Sequence, residues 1–177
     1  MNFGLCEHRY EVHIHGIGGL CLRNDRFSRL HRVDSLIKNC DVAFIDIGSN
    51  DLCNSSYSPD TFASDLIAYL QYVNIGLNVQ RVGCSQLLPR LNTPYPEYNE
   101  NIVQANTTLH TNLTPDKHSQ IQFWRHQCGL WNPNRLVDIY CPDGIHLSDI
   151  GLKKYYQSVK DCLHRLINAV GECNISR

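Results

Sequence analysis

Asp41-Val42-Ala43-Phe44-Ile45-Asp46-Ile47-Gly48-Ser49-Asn50-Asp51 is the stretch on which the reading of the fold turns. Val42, Ala43, Phe44 and Ile45 are contiguous and apolar, and a short run without alternation suits a parallel strand buried on both faces. The Gly-Ser-Asn-Asp that follows is a turn at the end of that strand. Working outward, Ser28–Asn39 carries Leu30, Val33, Leu36 and Ile37 at helical spacing, and Tyr10–His15 is a short strand candidate ending in Gly16, Gly18 and Gly19. On the other side, Ser58-Pro59-Asp60 opens a helix with a cap residue, a Pro at the first position and an acid. Phe62, Leu66, Leu70 and Val73 line one face of that helix. Val79–Leu88 reads as the next strand, ending at Pro89, and Tyr98, Ile102, Ala105 and Leu109 form another helical stripe.

Leu136–Tyr140 is a further strand candidate. The final helix is capped by Ser148, presents Leu152, Tyr155, Tyr156, Val159, Cys162, Leu163, Leu166 and Ile167 on one face, and has Gly171 as its stop. Strands alternating with helices predict an α/β fold, a doubly wound and mostly parallel sheet flanked by helices, in a single domain over residues 1–177. The ligand site of such a sheet lies at the carboxyl ends of its strands.

The composition closes off several function classes. Hydrophobic residues form 42% of the 177, enough for a packed core. Sixteen basic residues oppose seventeen acidic ones with no block of one sign, so neither nucleic acid nor a membrane surface is indicated as partner. Apolar runs are strand-sized, too short to span a bilayer. No basic and apolar leader opens the chain, which reads as cytoplasmic. Nine cysteines, an odd number with no C-x-x-C pair, read as reduced thiols rather than a zinc ribbon. The sequons at Asn54, Asn106, Asn112 and Asn174 are read as chance occurrences. His13 and His15 are taken to face opposite ways along their strand and so not to share a metal. Gly16–Gly19 lacks the last glycine of G-x-G-x-x-G, where Cys21 stands, so no dinucleotide or other cofactor is expected.

Two motifs carry chemistry, each at the carboxyl end of an expected strand. In Gly48-Ser49-Asn50-Asp51, Asn50 can aim a side-chain amide over the strand end, and a preorganised donor of that kind stabilises a developing oxyanion. In Asp143-Gly144-Ile145-His146, the carboxylate can bond the imidazole and fix its tautomer, which is the orienter-and-base half of a hydrolytic triad. Each also has a plain alternative: a simple turn for the first, a loop leading into a helix with a surface histidine for the second.

Taken together, the motifs resemble those of the SGNH/GDSL hydrolases, in which successive blocks supply Ser, Gly, Asn and His. Ile47-Gly48-Ser49-Asn50-Asp51 resembles the third block, Asp143-Gly144-Ile145-His146-Leu147-Ser148 the fifth, and His15-Gly16-Ile17-Gly18-Gly19 the second. Gln86-Leu87-Leu88-Pro89-Arg90 and Trp124-Arg125-His126 are similar to stretches in some invertebrate members. The resemblance runs from about Val12 to Ile167. It implies a flavodoxin-like sheet of order 2-1-3-4-5, catalytic Asp143 and His146, an oxyanion hole that includes Gly19 and Asn50, and a small ester substrate.

The serine-bearing first block has no counterpart. Only 18 residues precede Gly19, whereas a βαβ unit needs about 30. No serine occurs before Ser28, and the residue between Gly and Asn in the third block, here Ser49, does not attack in the family. The chain therefore reads as an N-terminally shortened esterase domain with no nucleophile of its own, missing the first strand of its sheet. Either Tyr10–His15 then pairs directly with Asp41–Ile47, or a gap one strand wide, about 9–10 Å, separates them. The competing functional reading is a non-catalytic SGNH-like binding module or a decayed, retroelement-derived esterase domain.

Overall fold

The structure is a computed structural model that describes residues 3, 5, 8–23, 28–114, 120–127, 129–131 and 136–175. In chain order the elements are α1 (Ser28–Ile37), β1 (Val42–Ile45), α2 (Pro59–Gln71), β2 (Arg81–Ser85), α3 (Tyr98–Asn112), β3 (Ile121–Trp124), α4 (Leu136–Ile139) and α5 (Asp149–Ile175). The three strands form one parallel sheet in the order β1-β2-β3. Its register places Ala43, Val82 and Ile121 in one row and Phe44, Gly83 and Gln122 in the next. Since successive side chains point to opposite faces, these rows look opposite ways. The first row joins the core made with α2 and α3, through Phe62, Leu66, Leu70, Ile102 and Leu109. In the second, Gly83 leaves room for α5: a Cβ there would lie 2.9 Å from both Leu166 and Phe44 side chains. Helices thus cover the sheet, as expected of an α/β fold.

Ser58 caps α2 as its sequence foretells, accepting the Thr61 N–H at 3.1 Å with Pro59 in the first turn. The helix widens into a π turn over Tyr72–Gly76 before β2. Asn106 of α3, buried, clamps the chain just beyond β2 by accepting the Leu87 N–H and donating to the Leu87 carbonyl, both at 2.9 Å.

Several expectations are corrected. Tyr10–His15 is not a strand; its residues are mostly exposed and have no ladder partner. Alternation alone does not hold a strand without a neighbour to bond, so the choice between direct pairing and a one-strand gap does not arise. His13 and His15 stack with ring centroids 6.2 Å apart, on one side rather than on opposite ones, as residues two apart on extended backbone should. Leu136–Tyr140 is not a strand either: Leu136–Ile139 is a helical turn, and Tyr140 makes only an isolated antiparallel bridge to Leu147. The third strand is instead Ile121–Trp124, whose Ile121 and Phe123 are buried. Finally, α5 runs through Gly171 to Ile175, and Leu152 on its first turn is exposed rather than part of the buried stripe.

Candidate active site

The turn after β1 is built around Gly48, whose φ of 129° suits glycine and whose missing side chain lets the Phe62 ring of α2 come within 2.2 Å of where a Cβ would stand. The Gly48 carbonyl accepts the Leu52 N–H at 3.0 Å, closing the turn. Asn50 is half-buried at its crest. Asp51, 2% exposed, points inward and accepts the N–H groups of Leu22 at 2.8 Å and Arg23 at 3.1 Å. Burial pushes its carboxyl pKa up, and the backbone N–H bonds pull against that rise. Asp51 is therefore an anchor: it fastens the segment just after Gly19 to the turn that carries Asn50. Gly19 itself is exposed, with φ 67°, in a turn closed by the Leu20 N–H on the Ile17 carbonyl.

The Asp143–His146 loop is a tight reversal between Tyr140 and Leu147. Asp143 accepts the Ile145 N–H at 2.8 Å, the His146 N–H at 2.9 Å and bonds His146 Nδ1 at 2.7 Å. The imidazole bond first, and the two N–H bonds after it, lower the carboxyl pKa to about 2. With Nδ1 held, Nε2 is the ring nitrogen left for chemistry, and the His146 side chain is 79% exposed. Gly144, at φ 67°, turns its carbonyl toward the N–H groups of Leu91 at 2.9 Å and Asn92 at 3.1 Å. Ser148 starts α5, accepting the Gly151 N–H at 3.2 Å while donating to the Asp138 carbonyl.

These segments are tied through Arg90-Leu91-Asn92, of which only Arg90 belongs to a stretch that the sequence singles out. Arg90 Nη2 donates to Asn50 Oδ1 at 3.3 Å, and the next two residues hold Gly144. A chain of direct bonds thus runs from Leu22 through Asp51, Asn50 and Arg90 to the Asp143–His146 loop. A cavity of about 540 Å³ opens beside this loop, lined by Leu91, Asn92, Val137, Tyr140, Pro142 and Asp143 among others.

A second polar cluster, unforeseen, lies at the ends of β2 and β3. Buried His126 bonds Ser85 Oγ through Nε2 and Ser158 Oγ through Nδ1, both at 2.9 Å, and Trp124 Nε1 donates to Ser158 Oγ at 3.0 Å. Burial lowers the His126 pKa to about 4. Nearby, Asp46 accepts the Tyr155 hydroxyl. Asp46 is solvent-accessible, yet protein crowded around its carboxyl raises the pKa. The i,i+2 spacing of Trp124 and His126 was legible; their partners on a distant strand and helix were not. Among the described residues there is no group of three His, Cys, Asp or Glu side chains placed to hold a metal, and no helix long and apolar enough to cross a membrane.

The family model for GDSL-like lipases and acylhydrolases matches residues 7–164. The chain belongs to that family. Solved structures agree on the fold. An acylhydrolase-assigned protein of Bacteroides fragilis NCTC 9343 superposes with a TM-score of 0.60 at 15% identity, over 85% of this chain and 73% of that one. A peptidoglycan O-acetylesterase gives a TM-score of 0.60 at 17% identity, over 87% of this chain and 46% of its own. The GDSL-like chain therefore spans less than half of the second protein's length. No curated protein matches it.

Proposed function

We propose that this GDSL-like domain carries the base and oxyanion side of an ester-hydrolysing site, with His146 as general base, Asp143 as its orienter, and the Asn50 amide and Gly19 N–H as oxyanion donors. The observation that carries this reading is the 2.7 Å bond from Asp143 to His146 Nδ1 on an otherwise open imidazole. In acyl transfer such a base takes the proton of an attacking hydroxyl and returns it to the leaving group, while the fixed donors stabilise the tetrahedral oxyanion. The substrate class is a small carboxylic ester.

The attacking serine is not among this chain's residues in this proposal. Ser148 caps α5, and the hydroxyls of Ser85 and Ser158 bond the buried ring of His126 rather than the exposed ring of His146. Those same engagements favour a second reading, a site that binds an ester or its anion without cleaving it.

Methylphosphonate, a tetrahedral anion shaped like the acyl-transfer intermediate, tests the site without requiring turnover. Its titration should shift the His146 imidazole and Asn50 side-chain amide resonances together, and Asn50→Ala should weaken the effect. If neither resonance moves, the site assignment is lost. Hydrolysis of p-nitrophenyl acetate that disappears in His146→Ala would show that the chain does hold a nucleophile, with Ser49 the first suspect.

A further inference from the structure

We infer that Arg90 is a positioning residue that fixes which end of the Asn50 amide faces the ligand; this rests on the reading of Asn50 as an oxyanion donor. The guanidinium sits in a built cradle. Its carbon lies 5.1 Å from the centroid of the fully buried Tyr98 ring, Nη1 donates to Cys53 Sγ at 3.0 Å, and Nη2 donates to the Ser49 carbonyl and Asn50 Oδ1, each at 3.3 Å. The backbone beneath it is clamped as well: Asn99 of α3 accepts the Arg90 N–H at 2.9 Å and donates to the Arg90 carbonyl at 2.8 Å. Neither end of the side chain is left to wander.

The chemical consequence follows from the donor inventory. Guanidinium carries only donors, so the Asn50 atom facing it must be the amide oxygen. The amide NH₂ is thereby turned away from Arg90 and kept for another acceptor. An amide whose oxygen is bonded to a cation is also polarised, which strengthens its N–H groups as donors. Without Arg90, rotation of the Asn50 amide by half a turn would present an acceptor oxygen to an oxyanion, which repels it. The cation also neutralises part of any negative charge gathered near the turn. Arg90 touches no reacting atom in this scheme; it acts through Asn50.

The test uses the full chain and three proteins: wild type, Arg90→Met and Arg90→Lys. Arg90→Lys is the informative control, because lysine is also donor-only and keeps the charge. Two readouts are taken, the Asn50 side-chain amide signals and the dissociation constant for methylphosphonate. In the wild type the two Asn50 amide protons should be displaced from the shifts of a solvated Asn side chain and slow to exchange with water. In Arg90→Met both signals should move to the shifts and the solvent-exchange rate of a freely rotating exposed amide, with affinity falling about tenfold or more; Arg90→Lys should restore the amide signature and most of the affinity. Strand amides of β1 and β2 report whether each variant is folded. Unchanged Asn50 signals in Arg90→Met overturn the inference, as does Arg90→Lys behaving like Arg90→Met. Absence of methylphosphonate binding by the wild type would sink the esterase reading instead, and the Asn50 signals alone would then decide the role of Arg90.

Discussion

Gly144→Ala should damage the domain out of proportion to one methyl group. The residue sits at φ 67°, and a Cβ built there would stand 2.7 Å from the Asn92 backbone nitrogen and 3.0 Å from the Leu91 and Asn92 Cβ atoms. A non-glycine residue in the left-handed region costs about 1–2 kcal/mol. The clash falls on backbone, so relief requires the 91–92 segment and the Asp143 loop to separate. That loses the two bonds from the Leu91 and Asn92 N–H groups to the Gly144 carbonyl, each worth about 1 kcal/mol. The combined loss is about 3 kcal/mol, and with a urea m-value near 2 kcal/mol/M it lowers the unfolding midpoint by roughly 1.5 M. Gly16→Ala is the control, since nothing lies within 4 Å of its Cβ position, and it should leave the midpoint where it is. Hydrogen exchange adds a local readout: the Leu91 and Asn92 amides should lose protection in Gly144→Ala before the strands do. A midpoint within about 0.3 M of wild type, with both amides still protected, would refute the claim that Gly144 ties the Asp143–His146 loop to the Arg90 segment.

Other outcomes follow from the titrating groups and the sheet. The Asp143 carboxyl, held by His146 near a pKa of about 2 against an ordinary 3.8, stabilises the loop above the ordinary value and loses that contribution as pH falls through about 2; its carboxyl carbon resonance should titrate near 2, and His146→Ala should move the midpoint upward. His126 has its pKa lowered from 6.5 to about 4 by burial, so below about 6.5 the unfolded chain takes up a proton that the folded one refuses. Stability should therefore fall as pH drops from 6.5 toward 4, and His126→Gln should flatten that part of the urea-midpoint profile; an unchanged slope would show that His126 is not the group responsible. In β1 the Arg81 N–H bonds the Asp41 carbonyl, so odd-numbered residues serve β2 and the Val42 and Phe44 amides point to the outer edge, where no described strand lies. Ala43 and Ile45 should exchange slowly and Val42 and Phe44 quickly; equal protection of all four would mean that something pairs with that edge.

How much was legible depended on how local the determining contact is. The β1 run, the Ser58-Pro59 helix start and the Asp143-Gly144-Ile145-His146 loop are set by residues within a few positions of one another, and each forms as its sequence foretells. The bond from Asp143 to His146 spans three residues. Asp51 was unreadable because its carboxylate bonds N–H groups 28 and 29 residues earlier; in sequence it is one more turn former. Arg90 reaches Asn50 across 40 residues, and nothing in Leu-Pro-Arg distinguishes it from a solvated surface cation. The misplaced strand has a similar cause. Leu136–Tyr140 is apolar and short, a pattern that fits a helical turn as well as a strand. Ile121–Trp124 hides its alternation in four residues, and only pairing with Val82 through Ser85 makes it a strand.

The disposition of these long-range ties bears on what the Gly48–Asp51 motif is for. An oxyanion donor needs one amide at the strand end, yet the motif supplies two polar side chains facing different ways. Asn50 looks toward Arg90, while Asp51 turns beneath and holds the N–H groups of Leu22 and Arg23. A buried carboxylate costs free energy unless it is bonded, and here its partners are backbone groups of the segment that follows Gly19. The cost of burying Asp51 is thus offset only when that segment is docked, which couples the placement of Gly19 to the integrity of the Asn50 turn. Replacing Asp51 with Asn would keep the shape but remove charge-assisted bonding to two donors, loosening residues 19–23 while leaving Asn50 on Arg90. The turn therefore acts in two directions: outward through an amide whose oxygen faces a cation, and inward through a carboxylate that holds the segment following Gly19.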